Sequence, residues 1–125
     1  MKKNLFSVII CGSRSFNNYE LLREFSNQCL AEKRKTSQVT IVTGMAKGAD
    51  TLAIQYAKDN GFAIQEVPAL WQVHGKSAGY KRNAMMSTIA DACIAFQINM
   101  SAGTQHMIET MRALNKPVRV KGVTL

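Results

Sequence analysis

The sequence predicts an α/β fold: a Rossmann-like three-layer sandwich with a mainly parallel five-stranded sheet. Short apolar runs rich in β-branched residues alternate along the chain with patterns typical of amphipathic helices. This alternation favours a parallel sheet with helices on both faces. Polar turns that contain glycine follow three of the strands, and in such sheets ligands bind at the carboxyl ends of the strands, where the strand order switches.

The first predicted strand runs from Leu5 to Cys11 and is apolar nearly throughout, as expected of a strand covered on both faces. A helix follows, with Asn17 or Asn18 as its N-cap and the basic cluster Lys33-Arg34-Lys35 at its end. Its apolar face carries Leu21, Leu22, Phe25, Cys29 and Leu30.

The second strand is predicted from Val39 to Val42, and the second helix from Ala49 to Asn60 with Gly61 as its left-handed cap. The third strand covers residues 62–67, and Pro68 ends it. Residues 69–79 are then expected to form the longest irregular segment, which is usually functional in a compact domain.

The third helix is predicted from Tyr80 to Ala90, with Met85, Met86 and Ile89 in the core. The fourth strand covers residues 92–96. The last helix spans residues 104–114, and a short fifth strand at residues 118–120 is expected at an edge of the sheet. The inward side chains of the last helix are expected to be Met107, Ile108, Met111 and Leu114.

The turn after the second strand, Thr43-Gly44-Met45-Ala46-Lys47-Gly48-Ala49-Asp50, predicts a phosphate-binding loop. Glycine lets the backbone approach a ligand closely, and the helix that follows presents free N–H groups and the positive end of its dipole. Lys47 adds a mobile positive charge. The alternative is a tight strand-to-helix connection in which Asp50 caps the helix.

The glycine turns at Gly12, Gly44 and Gly103 are expected at one edge of the sheet, because each follows a strand. Basic residues accompany them: Arg14, Lys47, Lys76 and Arg82. Their convergence indicates an anion site. Gly75-Lys76-Ser77 looks like the end of a Walker A motif, but Leu70 stands where that motif requires glycine, so an NTPase P-loop is excluded.

Composition bounds the remaining possibilities. The length of 125 residues fits one domain, residues 1–125, and the net charge of +8 favours an anionic partner, either a nucleotide or nucleic acid. The three cysteines include no C-x-x-C pair and are expected to be reduced core residues. His74 and His106 lack ligand spacing, so neither a metal site nor a cofactor is expected. No apolar run is long enough for a signal core or a membrane span, which predicts a cytoplasmic protein without a membrane partner.

Several motifs together resemble the YspA-related branch of the SLOG superfamily, a Rossmann-like nucleotide-binding fold that includes the LONELY GUY phosphoribohydrolases and the DNA-processing protein A. The resemblance covers nearly the whole chain. The motifs are Gly12-Ser13-Arg14-x-Phe16, Gly44-x-Ala46-Lys47-Gly48-Ala49-Asp50-Thr51, Trp71, Gly75-Lys76-x-Ala78-Gly79, Arg82-Asn83-x-Met85 and Ser101-x-Gly103-Thr104.

The resemblance implies a pocket for a nucleotide or nucleotide-derived ligand. By position, Gly12, Ser13 and Arg14 would form its first wall, and residues 44–50 its phosphate-facing loop. Arg82 and Asn83 stand where the phosphoribohydrolases have an Arg-Lys pair. Ser101, Gly103 and Thr104 match the start of their Gly-x-Gly-Thr loop. Trp71 and Phe16 are candidates to stack on a base, with simple packing as the alternative for each.

One departure from the hydrolases affects the expected activity. They have a catalytic glutamate three residues after the threonine, where this chain has Met107, and Glu109 lies two residues further along. A carboxylate is needed to activate chemistry at a ribosyl carbon. Asp50 and Arg82 are the remaining candidates for a catalytic role. Because the glutamate is missing from its expected position, the sequence favours binding over turnover.

Three functions follow from the sequence. The first is a homo-oligomeric protein that binds a nucleotide or nucleotide-derived small molecule for sensing, sequestration or carriage. The second is a phosphoribohydrolase-like hydrolase that cleaves a nucleotide N-glycosidic bond. The third is single-stranded nucleic-acid binding, suggested by the net charge of +8 and by the DNA-processing relative.

Overall fold

The computed structural model describes residues 4–44 and 47–123. In these ranges five strands form one parallel sheet with the order β3-β2-β1-β4-β5. The strands are β1 (Asn4–Gly12), β2 (Ser37–Thr43), β3 (Ala63–Glu66), β4 (Ala92–Ile98) and β5 (Val118–Val123). The architecture confirms the predicted Rossmann-like α/β fold, and β5 lies at an edge as expected.

Helices cover both faces of this sheet. They are α1 (Tyr19–Leu30), α2 (Lys33–Thr36), α3 (Ala49–Asn60), α4 (Trp71–His74), α5 (Ala78–Ile89) and α6 (Ala102–Ala113). A single 3₁₀ turn, Gly75–Ser77, joins α4 to α5. Within the described ranges, every helix is too short or too polar to cross a lipid bilayer.

Alternate side chains of the central strand divide the core into two layers. Val8 and Ile10 of β1 belong to the layer under α1 and α3, where Phe16 stacks on Phe96 with ring centroids 5.0 Å apart. Ile9 and Cys11 point to the other face and pack in the layer under α5 and α6. Because both faces of β1 are covered, the strand reads as a continuous apolar run.

Three helix ends have an identifiable stabilising feature. The Asn18 side chain accepts a hydrogen bond from the Leu21 backbone N–H at 3.0 Å and caps α1. Gly61 ends α3 with a φ of +69° in the left-handed region, as predicted. At the end of α5, the Lys116 ammonium donates to the carbonyls of Ser87 and Ala90 at 2.6 and 2.8 Å. A cation at this position satisfies carbonyls that the helix leaves unpaired and complements the helix dipole.

Two stretches were predicted wrongly. The first helix ends at Leu30, and Lys33–Thr36 forms a separate turn of helix instead of its basic end. Residues 69–79 are not irregular, because α4 and the 3₁₀ turn occupy Trp71–Ser77 and α5 begins at Ala78. Isolated single turns carry too few residues to establish an apolar period, so the pattern did not reveal them.

Three apolar side chains expected in the core are exposed: Met85 at 59%, Ile89 at 37% and Leu114 at 48%. The buried face of α5 is instead made of Met86 with small or polar side chains: Ala78, Asn83 and Ser87. Ser87 donates to the Ala84 carbonyl, so its hydroxyl is satisfied inside the fold. An apolar-periodicity argument assigns such a face to solvent, which is why the helix was predicted in the wrong rotation.

The turn after β4 also differs from its prediction. Its left-handed residues are Asn99 (φ +52°) and Met100 (φ +53°), and the Ser101 N–H closes it on the Ile98 carbonyl at 3.2 Å. Gly103 already belongs to α6. Asparagine tolerates this conformation, whereas an unbranched apolar side chain such as that of Met100 is strained there.

Relief of this strain is testable by replacing Met100 with glycine. We expect Met100→Gly to stabilise the protein by about 0.5–1 kcal/mol, since removal of the left-handed strain outweighs the added freedom of the unfolded chain. The measurement is the free energy of unfolding in urea.

Met85→Gly is the matched control, because Met85 is similarly exposed but lies inside α5. There glycine should destabilise by about 1 kcal/mol. Two changes of the same sign would contradict the assignment of strain to Met100.

Candidate functional site

The strand order places the candidate site between β1 and β4. From β1 the chain continues to β2 and β3 on one side, whereas β4 and β5 lie on the other side. The carboxyl ends of β1 and β4 are therefore the switch point of the sheet, where ligands of open α/β folds bind. A pocket of about 500 Å³ opens there, lined by residues that follow both strands.

A serine pair joins the two loops at this switch point. The Ser13 hydroxyl oxygen accepts a hydrogen bond from the Ile98 backbone N–H at 2.8 Å and lies 2.6 Å from the Ser101 hydroxyl. Ser13 is 5% exposed, and its own N–H donates to the Phe96 carbonyl at 3.0 Å. The Ser13 side chain therefore holds the wall of the pocket together.

The N-terminus of α6 faces the same pocket. Ser101 is its N-cap residue and makes no capping hydrogen bond with its side chain, while Gly103 and Thr104 of the first turn line the pocket. Asn83 positions this turn: its side-chain amide donates to the Gly103 carbonyl at 3.2 Å and lies 3.1 Å from Nδ1 of His106. The helix thus presents the positive end of its dipole to the pocket.

Arg82 crosses the backbone of Gly44. Its guanidinium donates to the Gly44 carbonyl from Nη1 at 3.0 Å and to Oδ1 of Asn83 from Nε at 3.4 Å. A Cβ on Gly44 would lie 2.8 Å from Cδ of Arg82. The absence of a side chain at Gly44 therefore makes room for Arg82, whereas the sequence suggested that it made room for a phosphate.

A second pocket, of about 440 Å³, adjoins the first. Arg14 and Arg82 line both pockets. The second is also lined by Lys47 and by Trp71, whose side chain is 52% exposed. The two pockets are therefore neighbours that share a positively charged wall.

Gly12 and Gly48 set the approach of α3 to this edge. A Cβ on Gly12 would lie 2.4 Å from the Phe96 carbonyl oxygen, and one on Gly48 would lie 2.3 Å from the Ser13 carbonyl oxygen. Gly48 is also left-handed, with a φ of +78°. Both glycines are thus explained by backbone packing.

Asp50 and Cys11 lie at the buried end of the first pocket. Asp50 is the second residue of α3 and 5% exposed, in the first turn of the helix after the N-cap residue Gly48. The Cys11 sulfur lies 3.8 Å from that of Cys93. This contact and burial raise the pKa of the Cys11 thiol well above its usual value. A thiol that stays protonated is a poor nucleophile.

Most of the predicted site residues are brought together around the two pockets. Those that line the first are Gly12, Ser13, Arg14, Asp50, Arg82, Asn83, Ser101, Gly103 and Thr104. Gly44, Lys47 and Trp71 line the second, together with the two shared arginines.

Other predicted residues are not brought to these pockets. Lys76, in the 3₁₀ turn, lines neither of them, and Gly48 also lines neither of them. Ala46 falls outside the described residues. Phe16 is 2% exposed and stacked on Phe96, so the hypothesis that it stacks on a base is wrong.

Asn99 and Met107 line the first pocket; the sequence reasoning did not assign Asn99 to the site and considered Met107 there only as the replacement for the hydrolases' glutamate. Asn99 directly follows β4, a position that could have suggested it. Met107 resembled an ordinary core residue and is 1% exposed. In residues 4–44 and 47–123, no cluster of three metal-ligating side chains occurs.

Comparison with known proteins identifies relatives in sequence and in structure. The gene 61 protein of Mycobacterium phage D29 is 33% identical over 121 residues, which cover 89% of this chain and 92% of that protein. DNA processing protein A from Streptococcus pneumoniae superposes with a TM-score of 0.71 at 18% identity, over 93% of this chain and 50% of the other.

DNA processing protein A from Helicobacter pylori, which binds single-stranded DNA, superposes with a TM-score of 0.70 at 18% identity, over 94% of this chain and 65% of the other. This chain therefore spans between half and two thirds of the two DNA processing proteins. At such identity the likeness shows the shared Rossmann-like fold.

A family model described as "YspA, cpYpsA-related SLOG family" matches residues 6–74. This range includes most of β1, all of β2 and the loops that carry Ser13, Arg14 and Gly44. The sequence match and the architecture agree, and the chain belongs to the YspA, cpYpsA-related SLOG family.

Proposed function

We propose that this chain binds a nucleotide or nucleotide-derived small molecule through its phosphate groups, at the carboxyl ends of β1 and β4. The observation that carries the proposal is the pairing of Arg14 and Arg82 with the first turn of α6 around one pocket. Guanidinium groups and free backbone N–H groups at a helix N-terminus are both donors to phosphate oxygens.

Arg82 is the better-prepared donor of the two arginines. A guanidinium carries five N–H donors, and two of those on Arg82 bond to Gly44 and Asn83. These bonds hold the side chain between the pockets before any ligand arrives. Little side-chain entropy is then lost on binding, which strengthens affinity.

The carboxylate arrangement favours binding over cleavage. Met107 lines the first pocket at the position where the hydrolases of this superfamily have their glutamate. Glu109 is exposed, and its carboxylate accepts a hydrogen bond from Gln105 at 3.2 Å. Asp50 is the carboxylate that lines the pocket. An N-glycosidic cleavage would therefore depend on Asp50 alone for acid–base chemistry.

Single-stranded nucleic acid is the second candidate ligand. The net charge of +8 supports it, as does the single-stranded DNA binding of the structurally similar Helicobacter pylori protein. Trp71 offers a stacking surface beside Arg14 and Lys47. Aromatic side chains next to cations are typical of single-strand binding grooves.

Self-association of the chain and its cytoplasmic location stay predictions.

The role of Arg82 is testable with AMP as the probe. We expect Arg82→Met to weaken AMP binding by roughly tenfold or more, because charge-assisted hydrogen bonds contribute about 1.5–3 kcal/mol. Isothermal titration calorimetry measures the change. Arg112→Met is the matched control, since Arg112 is an exposed arginine in the last turn of α6 and should leave the affinity unchanged. An unchanged affinity in a folded Arg82→Met protein would overturn the assignment.

Turnover is tested by incubating AMP with an equimolar amount of protein. We expect AMP to remain intact and no adenine to appear by chromatography, because Met107 replaces the hydrolytic glutamate. If adenine is released, and if Asp50→Asn abolishes the release, the chain is a hydrolase and the binding-only proposal fails.

Salt dependence separates the nucleotide from nucleic acid. Binding of a protein to a single strand weakens with salt in proportion to the number of phosphates that it contacts. We expect the AMP affinity to change little between 50 and about 200 mM salt. A thymidine oligonucleotide bound more tightly than AMP, with an affinity that falls by a factor of about 100 or more over this range, would favour nucleic acid.

A further inference from the structure

The two neighbouring pockets together have room for a ligand larger than a mononucleotide. We propose that the ligand is a dinucleotide whose two nucleoside units are joined by a pyrophosphate, with one unit in each pocket. The inference rests on the proposed function, since it assumes that phosphate is bound at this edge. It adds the size, the charge and the bipartite form of the ligand.

The volumes support two separate nucleoside units. The first pocket measures about 500 Å³ and the second about 440 Å³. Each falls within the range of about 300–1,000 Å³ typical of a site for one drug-sized ligand. Because Arg14 and Arg82 line both pockets, a group that joins the two units must pass beside these arginines.

The charges at the shared wall favour a pyrophosphate as the linking group. Arg14, Lys47 and Arg82 all line the second pocket, and no carboxylate among the described residues lines it. A pyrophosphate linkage carries two negative charges, whereas a phosphodiester carries one. Two guanidinium groups and an ammonium match the larger charge, since each guanidinium can bind phosphate oxygens in a bidentate manner.

Trp71 supplies the recognition surface of the second pocket. Its side chain is 52% exposed although it borders a pocket. It begins α4, and Cη2 of its ring lies 3.8 Å from the position that a Cβ on Gly79 would occupy. An exposed indole beside cations is suited to stack on a base. Lys47 and Trp71 line the second pocket and not the first, so the two pockets differ in these side chains.

Calorimetry on the full chain tests the inference with three probes at one ionic strength. They are AMP, the pyrophosphate-linked P1,P2-di(adenosine-5′) diphosphate, and the phosphodiester ApA. We expect the pyrophosphate-linked probe to bind at least about tenfold more tightly than AMP, because a second base stacked on an aromatic side chain adds affinity. ApA should bind more weakly than the pyrophosphate-linked probe.

Trp71→Ala should remove most of the gain in affinity and leave AMP binding within about twofold, since AMP needs only the first pocket. Trp71→Phe keeps an aromatic face and should restore part of the gain. Val73→Ala is the matched control, because Val73 is 72% exposed on the same helix and lines neither pocket. Urea unfolding of each free variant shows whether the fold is intact.

The possible failures are distinguishable. If AMP binds but the pyrophosphate-linked probe binds no more tightly, the bipartite ligand is overturned and the proposed function stands. If ApA equals the pyrophosphate-linked probe, the pyrophosphate is overturned and a nucleic-acid strand is favoured. If a folded Trp71→Ala protein keeps the full gain, the second pocket does not hold the second unit. If none of the three probes binds, the proposed function fails together with the inference.

Discussion

The Ser13 hydroxyl is the contact on which the geometry of the switch point depends. It bonds to the Ile98 backbone and lies within hydrogen-bond distance of Ser101, so one side chain joins the loop after β1 to the loop after β4. Neighbouring parallel strands whose helices diverge to opposite faces leave a crevice between their ends. The serine pair sets the width of that crevice on its buried side. The shape of the first pocket and the position of the α6 N-terminus both follow from this width.

Much of the fold could be predicted because its signals are local and strong. The β-branched run before Gly44 and the apolar run before Gly12 are each long enough to identify a buried strand. Gly61 and Asn18 act through their own backbone or side chain, so their roles can be read from a few residues. One error concerns the buried face of α5, where Asn83 bonds to the Gly103 carbonyl of α6 and Ser87 bonds to the Ala84 carbonyl of its own helix. Gly103 is distant from Asn83 in sequence, and the Ser87 hydroxyl is satisfied within its own helix, so apolar periodicity reveals neither inward side chain.

The candidate site was predictable in place but less so in detail. Strand ends with polar turns predict the edge at which ligands bind, and the two pockets lie there. From the sequence, the glycines of the turn after β2 were expected to make room for a ligand, and Gly12 and Gly103 to lie in turns that border the site. In the structure, Gly12 and Gly48 make room for neighbouring backbone, Gly44 makes room for Arg82, and Gly103 lies within a helix. Which neighbour fills the space beside a glycine depends on tertiary packing, so the residue type alone cannot identify it.

The contact between Arg82 and Gly44 also constrains how the family can diverge. The Arg82 side chain lies within 2.8 Å of where a Cβ at position 44 would be, and the two residues come from different elements, the loop after β2 and α5. A substitution at position 44 therefore shifts the Arg82 side chain although residue 82 itself is unchanged. A relative with a side chain at position 44 must therefore hold the guanidinium of residue 82 in another place, or have a different residue there, and its pocket would present its cation differently.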